Sequence, residues 1–93
     1  MHIVSTTEPV PVFDCHVLLR KPTAAGEPWQ ARCAAAPSVS ATGSTERETL
    51  QSLVIRFKYF IQEYRQQSQP IPWVSPEQTP AADEVERWIP VHL

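Results

Sequence analysis

The chain predicts an α+β domain of strand-strand-strand-helix-strand order, a small sheet with one long helix packed on one face. Three observations carry this. Ten prolines, about twice the ordinary usage, fall at Pro9 to Pro37 and Pro70 to Pro90 and leave residues 38–69 without one. Proline removes a backbone donor and clashes with the preceding turn, so that interval is where a long helix can run. Within it Leu50, Leu53, Val54, Phe57, Phe60, Ile61 and Tyr64 recur at spacings of three and four along one helix face. Before it, Val10 to Arg20 alternates apolar and polar side chains as a half-buried strand does.

Ninety-three residues give room for a single domain with one core. It divides into an N-terminal arm, 1–9, a core, 10–72, and a proline-rich tail, 73–93, ending in a short strand. With 42% hydrophobic and 19% charged residues, the composition is that of a folded globular protein rather than a disordered one. Eight Lys and Arg against ten Asp and Glu, with no run of either sign, supply no basic stripe for phosphates, so no direct DNA binding is expected. The N-terminus lacks the basic region and apolar run of a signal peptide. No stretch approaches the roughly 20 apolar residues that cross a bilayer. Two cysteines cannot make a disulfide framework. These features predict a cytoplasmic protein away from membranes.

Each element follows from local chemistry. The first strand turns Phe13, Cys15, Val17 and Leu19 to the core and Val12, Asp14, His16, Leu18 and Arg20 away from it. A connection containing Gly26 leads to Trp29, Ala31 and Cys33, alternating with Gln30 and Arg32, the return arm of a hairpin. Pro37 to Thr42 reads as a short third strand with Val39 and Ala41 on one side. Thr45 and Glu48 fit a capping box, in which hydroxyl and carboxylate each satisfy an orphan amide. Gln66 to Gln69 dilute the apolar pattern, and Pro70 and Pro72 end the helix. Ile71 to Asp83 reads as irregular, and Arg87 to Leu93 as a last strand that Pro90 confines to a sheet edge or ladder end. If that strand lies beside the first, the connection through the helix is expected to be a right-handed crossover.

Chemistry-bearing residues are sparse. Cys15 and His16 are strand neighbours pointing to opposite faces, and His2 and His92 lie near the termini, so no metal set is expected. Cys15 and Cys33 read as reduced core thiols facing each other across the sheet. Two glycines cannot build a phosphate loop or a nucleophile elbow, and no cofactor or catalytic residue is assigned. The enzymatic alternative is a metal-dependent nuclease joining Asp14 to Glu48, Asp83, Glu84 or Glu86, which requires Asp14 to face the helix, against the alternation. Ile55 and Tyr59 lie one turn apart off the core stripe. With Arg56, Glu63 and the tail aromatic Trp73 they form the candidate partner-binding surface. The free sheet edge, together with outward Val12 and Leu18, predicts a homodimer through edge or outer face, unless the arm before Pro9 or the tail around Trp73 covers that face.

The ordered combination Ala31-Arg32-Cys33, Pro37-Ser38-Val39-Ser40, Gly43-Ser44-Thr45, an amphipathic helix from Glu46 and Pro70-Ile71-Pro72 resembles the HicB-like antitoxin family. The resemblance implies a partial ribonuclease-H-like fold and a non-catalytic domain that binds and silences a small ribonuclease toxin. Many such domains carry a DNA-binding module. None follows Pro72, and Ser38 and Ser44 stand where the family usually has glycine and aspartate. An orphan regulatory domain on the same scaffold is the remaining alternative.

Overall fold

Alternation along the first strand places its apolar residues on one side, and that strand becomes the inner member of the sheet. A computed structural model, which describes residues 11–93, has the elements β1 (Val12–Arg20), β2 (Trp29–Cys33), β3 (Ser40–Gly43), α1 (Glu46–Gln66) and β4 (Glu84–His92). The strands lie in the order β3-β2-β1-β4, and every neighbouring pair is antiparallel. The α+β architecture is as the sequence predicts. The arm 1–9 and Val10 lie outside the described residues.

One face of the sheet meets α1. Cys15, Val17, Leu19, Ala31, Cys33, Ala41 and Val91 from the strands close around Leu53, Phe57 and Ile61 from the helix. All ten are at most 6% exposed. Leu50, Val54 and Phe60 pack at the margins. The apolar stripe read from the sequence is therefore the core-facing side of the helix as far as Ile61, whereas Tyr64 is half-buried against Phe60 outside the core cluster.

The helix ends show local chemistry at work. Thr45 Oγ1 accepts from the amide of Glu48 at 3.1 Å. The return bond is displaced by one residue: the Glu48 carboxylate accepts from the Ser44 amide at 3.3 Å and the Ser44 hydroxyl at 2.7 Å. Thr49, fully buried, donates its hydroxyl to Thr45 O at 2.7 Å, which satisfies a polar group the core would otherwise penalise. Gly43 lies against this turn so closely that a Cβ would stand 2.7 Å from Thr49 Oγ1 and 3.0 Å from the Thr49 amide nitrogen. At the other end Ser68 adopts φ 54°, while its amide donates to Arg65 O at 3.1 Å and the Gln69 amide to Tyr64 O at 2.9 Å. This paired closure of the last carbonyls ordinarily places glycine in the left-handed position.

Three elements differ from the sequence reading. β3 begins at Ser40 rather than Pro37, because residues 33–39 form a turn closed by Cys33 N to Val39 O at 3.0 Å and Val39 N to Ala36 O at 2.9 Å. β4 begins at Glu84 rather than Arg87 and pairs with all nine residues of β1, from Val12 opposite His92 to Arg20 opposite Glu84. Pro90 stands opposite Asp14 on this edge strand, where a missing donor is tolerated. The expected right-handed crossover does not apply. That rule governs parallel pairs, whereas β4 runs antiparallel to β1 and opposite in direction to β3.

Gly43→Ala is expected to lower the unfolding free energy by about 1–3 kcal/mol through overpacking against Thr49. Ser68→Gly is expected to raise it by up to about 1 kcal/mol by removing the left-handed penalty. Denaturant titration of both variants checks the two signs. An unshifted midpoint for Gly43→Ala would mean that α1 does not start against this turn.

Candidate functional site

The face of the sheet away from α1 carries the polar residues of the alternation, and the register decides which of them meet. Antiparallel pairing puts Trp88 opposite His16, Glu86 opposite Leu18 and Glu84 opposite Arg20 on that face. The His16 imidazole stacks on the Trp88 indole with ring centroids 4.6 Å apart and planes within 7°. Its Nδ1 meets Glu77 Oε1 at 2.7 Å and its Nε2 meets Glu86 Oε2 at 2.6 Å. An imidazole bonded to carboxylates through both nitrogens must be protonated to donate twice. Partial burial pulls the imidazole pKa down, but the bonds and charges of Glu77 and Glu86 outweigh this and hold it above its ordinary value.

Beside it lies a second polar group. Arg32 Nε and Nη2 donate to the two oxygens of Glu84 at 3.3 and 2.8 Å, and Nη1 donates to Gln78. Arg20 Nε pairs with Asp83 at 2.9 Å and Nη2 approaches Glu84 at 3.9 Å. The Arg32 bonds hold the Glu84 carboxyl below its usual range, against the opposing effect of burial. Leu18, expected to be outward, is fully buried on this same face. Its strand neighbours are Arg32 and Glu86, and the tail is fastened nearby: Val74 N bonds Ala35 O at 2.8 Å, Gln78 N bonds Ala34 O at 2.9 Å, and the Gln78 side chain accepts from Arg32.

The predicted contact residues separate into three places. Arg56, Tyr59 and Glu63 border an open depression of about 240 Å³ on the β3 side of α1, with Ser38, Val39 and Ser40 opposite. Ile55 belongs instead to an apolar groove of about 510 Å³ shared with Leu50, Gln51, Val54 and Ile89 of β4. Trp73 packs on Phe13, Phe57 and Phe60 at centroid distances of 6.4, 6.0 and 6.1 Å, so it anchors the tail to the helix side of the core. Ile55 and Tyr59 are both more than half exposed, as are Val12 and Trp88.

The carboxylates considered for a nuclease are dispersed. Asp14 is on the outer face opposite Pro90, Glu48 is at the helix start, and Asp83 and Glu84 hold arginines. Among the described residues no three His, Cys, Asp or Glu side chains stand where they could hold a metal ion. Cys15 and Cys33 are free and buried in the core. A hydrogen bond between their thiols pushes the Cys15 thiol up and draws the Cys33 thiol down, while burial disfavours charge on either. Sequence reasoning missed the His16–Trp88 stack and the ion pairs of Arg32. Alternation does place His16, Leu18 and Arg20 on one face, but their partners lie 50 to 70 residues away and become neighbours through the β1–β4 register and the tail alone.

No helix among the described residues is long and apolar enough to cross a membrane. Comparison of the chain with protein-family models, with curated proteins and with solved structures finds no match.

His16 supplies a pH test. Its folded pKa is raised, so its contribution to stability is complete below the unfolded value of about 6.5 and is lost as pH climbs through the higher folded value. The facing groups are Glu77, Glu86 and, further along, Glu84 and Arg32. The melting temperature is expected to fall as pH rises above neutrality, and His16→Gln is expected to flatten that slope. A wild-type melting temperature constant over the interval would show that the imidazole is not charged in this pair.

Proposed function

We propose that the protein is a non-catalytic protein-binding module of the HicB-like antitoxin kind, whose partner is a small ribonuclease toxin, and that it acts in the cytoplasm as a homodimer. The observation that carries the reading is the β4 side of the molecule. Among the described residues no strand lies beside the outer edge of β4, although it runs for nine residues. Unpaired edges of this length are ordinarily covered or used for pairing. Next to it runs the apolar groove of Leu50, Val54, Ile55 and Ile89, with Val85 about half exposed on the same side.

The occupant proposed for this edge is the β4 of a second copy. A two-fold antiparallel pairing centred on Arg87 sets Val85 opposite the other copy's Ile89, and the reverse, on the helix side where the groove lies. The apolar pattern of β4 is thus self-complementary in one register, and two grooves close against each other. Each Arg87 at the centre is already held by Glu46 of its own chain at 3.2 Å, which offsets the like-charge encounter. The toxin is assigned to the other side of α1, where Arg56, Tyr59 and Glu63 remain exposed and flank an open depression.

Two measurements test this. Sedimentation equilibrium at micromolar concentration is expected to give the dimer mass, reduced to the monomer mass by Val85→Lys; a wild-type monomer rejects the edge pairing. Co-expression with the small protein encoded by the adjoining reading frame is expected to give a complex that Tyr59→Ala weakens by about tenfold or more, as loss of a buried interface aromatic does. A folded protein that captures no such partner, or cleavage of RNA by the protein alone with magnesium, would overturn the antitoxin reading.

A further inference from the structure

A separate depression of about 440 Å³ opens where the tail passes from the helix side to the outer face. Its inner wall is aromatic and apolar, formed chiefly by Phe13, Trp73 and Val74, and its rim carries Asp14, Ser75 and Glu77. Trp73 is 39% exposed, so its ring is available to a ligand even though Phe13, Phe57 and Phe60 hold it in place. No Lys or Arg lines the depression. Asp14 has no ion-pair partner among the described residues, and His16, which bonds Glu77, is shared with Glu86. With the carboxylates Asp14 and Glu77 on the rim and a single imidazolium divided between Glu77 and Glu86, the charge around the depression is net negative.

An exposed indole at the wall of a negatively charged pocket is the chemistry that accepts an organic cation. Aromatic faces attract ammonium and guanidinium groups, most strongly tryptophan, while carboxylates at the rim supply charge-assisted bonds. An apolar wall beneath a charged rim also matches a side chain with a hydrocarbon stem and a cationic head. We propose that this depression receives an arginine or lysine side chain of the partner protein, its stem along Phe13 and Trp73 and its head between Asp14 and Glu77. That the cation comes from a protein rests on the protein-binding reading above; the preference of the pocket for a cation does not.

The pocket can be tested without any partner. The full chain, isotope-labelled, is titrated in a magnetic resonance experiment with Nα-acetyl-arginine methylamide and, in parallel, with the uncharged Nα-acetyl-norleucine methylamide. The arginine probe is expected to give saturable shifts at the Trp73 indole N–H and the amides of Val74 and Ser75 at millimolar concentration. Asp14→Asn, at an exposed position that leaves the core untouched, is expected to weaken them by about threefold or more, on the scale of an exposed ion pair. Equal shifts with norleucine would make the pocket merely apolar. Absent shifts, or arginine shifts unchanged in Asp14→Asn, would overturn the assignment. If the probe binds as expected while no protein partner is captured, the pocket stands and the antitoxin reading falls.

Discussion

The full-length antiparallel register between β1 and β4 is the constraint on which the remaining structure depends. It joins residues 12–20 to residues 84–92 without a gap, so nine of the last ten residues are committed to the strand next to the first. On the helix side that register completes the floor under α1 with Ile89 and Val91. On the other side it brings Trp88 over His16 and Glu84 within reach of both Arg20 and Arg32. The chain leaving α1 must then travel to the far end of β1 before β4 can start, and residues 67–83 are that route. Their crossing of the outer face follows from the topology and is fastened by side chains.

The fastening is polar where the core is apolar, and this gives the two faces different responses to conditions. The α1 face is held by burial of aliphatic and aromatic surface, which is indifferent to pH. The outer face is held by His16 between two carboxylates and by Arg32 on Glu84, whose strength depends on protonation and, at exposed positions, on salt. Trp73 belongs to the first system and Glu77 to the second, four residues apart in the tail. Loss of charge on His16 therefore loosens the part of the tail after Trp73 while leaving the aromatic anchor, and the sheet beneath it, in place.

Much of this was legible in the sequence because it is local. The proline-free interval and the recurrence from Leu50 to Tyr64 located α1, and Thr45 gave its cap to the residue. Alternation in β1 placed Cys15, Val17 and Leu19 in the core correctly. It also put Leu18 outside, on the face away from α1, yet the side chain is fully buried there between Arg32 and Glu86, whose partners local pattern does not encode. The early start of β4 at Glu84 was hidden for a similar reason: its first residues are charged or half exposed, and pairing with β1 holds them rather than any apolar run of their own. Ile55 and Tyr59 were rightly read as off the core stripe. Their neighbours separate them, since Ile55 borders Ile89 of β4 whereas Tyr59 looks toward the turn before β3.

The two edges of the sheet are protected unequally, and that inequality bears on which surface is open to association. β3 is four residues long, too short to template a lasting pair, and its outward positions are Ser40 and Thr42. β4 is more than twice that length. Its proline lies near the C-terminal end, so the run Glu84–Ile89 retains every backbone donor that an incoming strand would need. Charge could have blunted it, but Glu84 and Arg87 are turned back onto their own chain, the first by Arg32 and the second by Glu46. What remains toward solvent on that edge is Val85 and Trp88, both large and substantially exposed. An edge left this way by its own ion pairs, beside a groove whose walls are aliphatic, has the physical character of a surface that is completed by another strand.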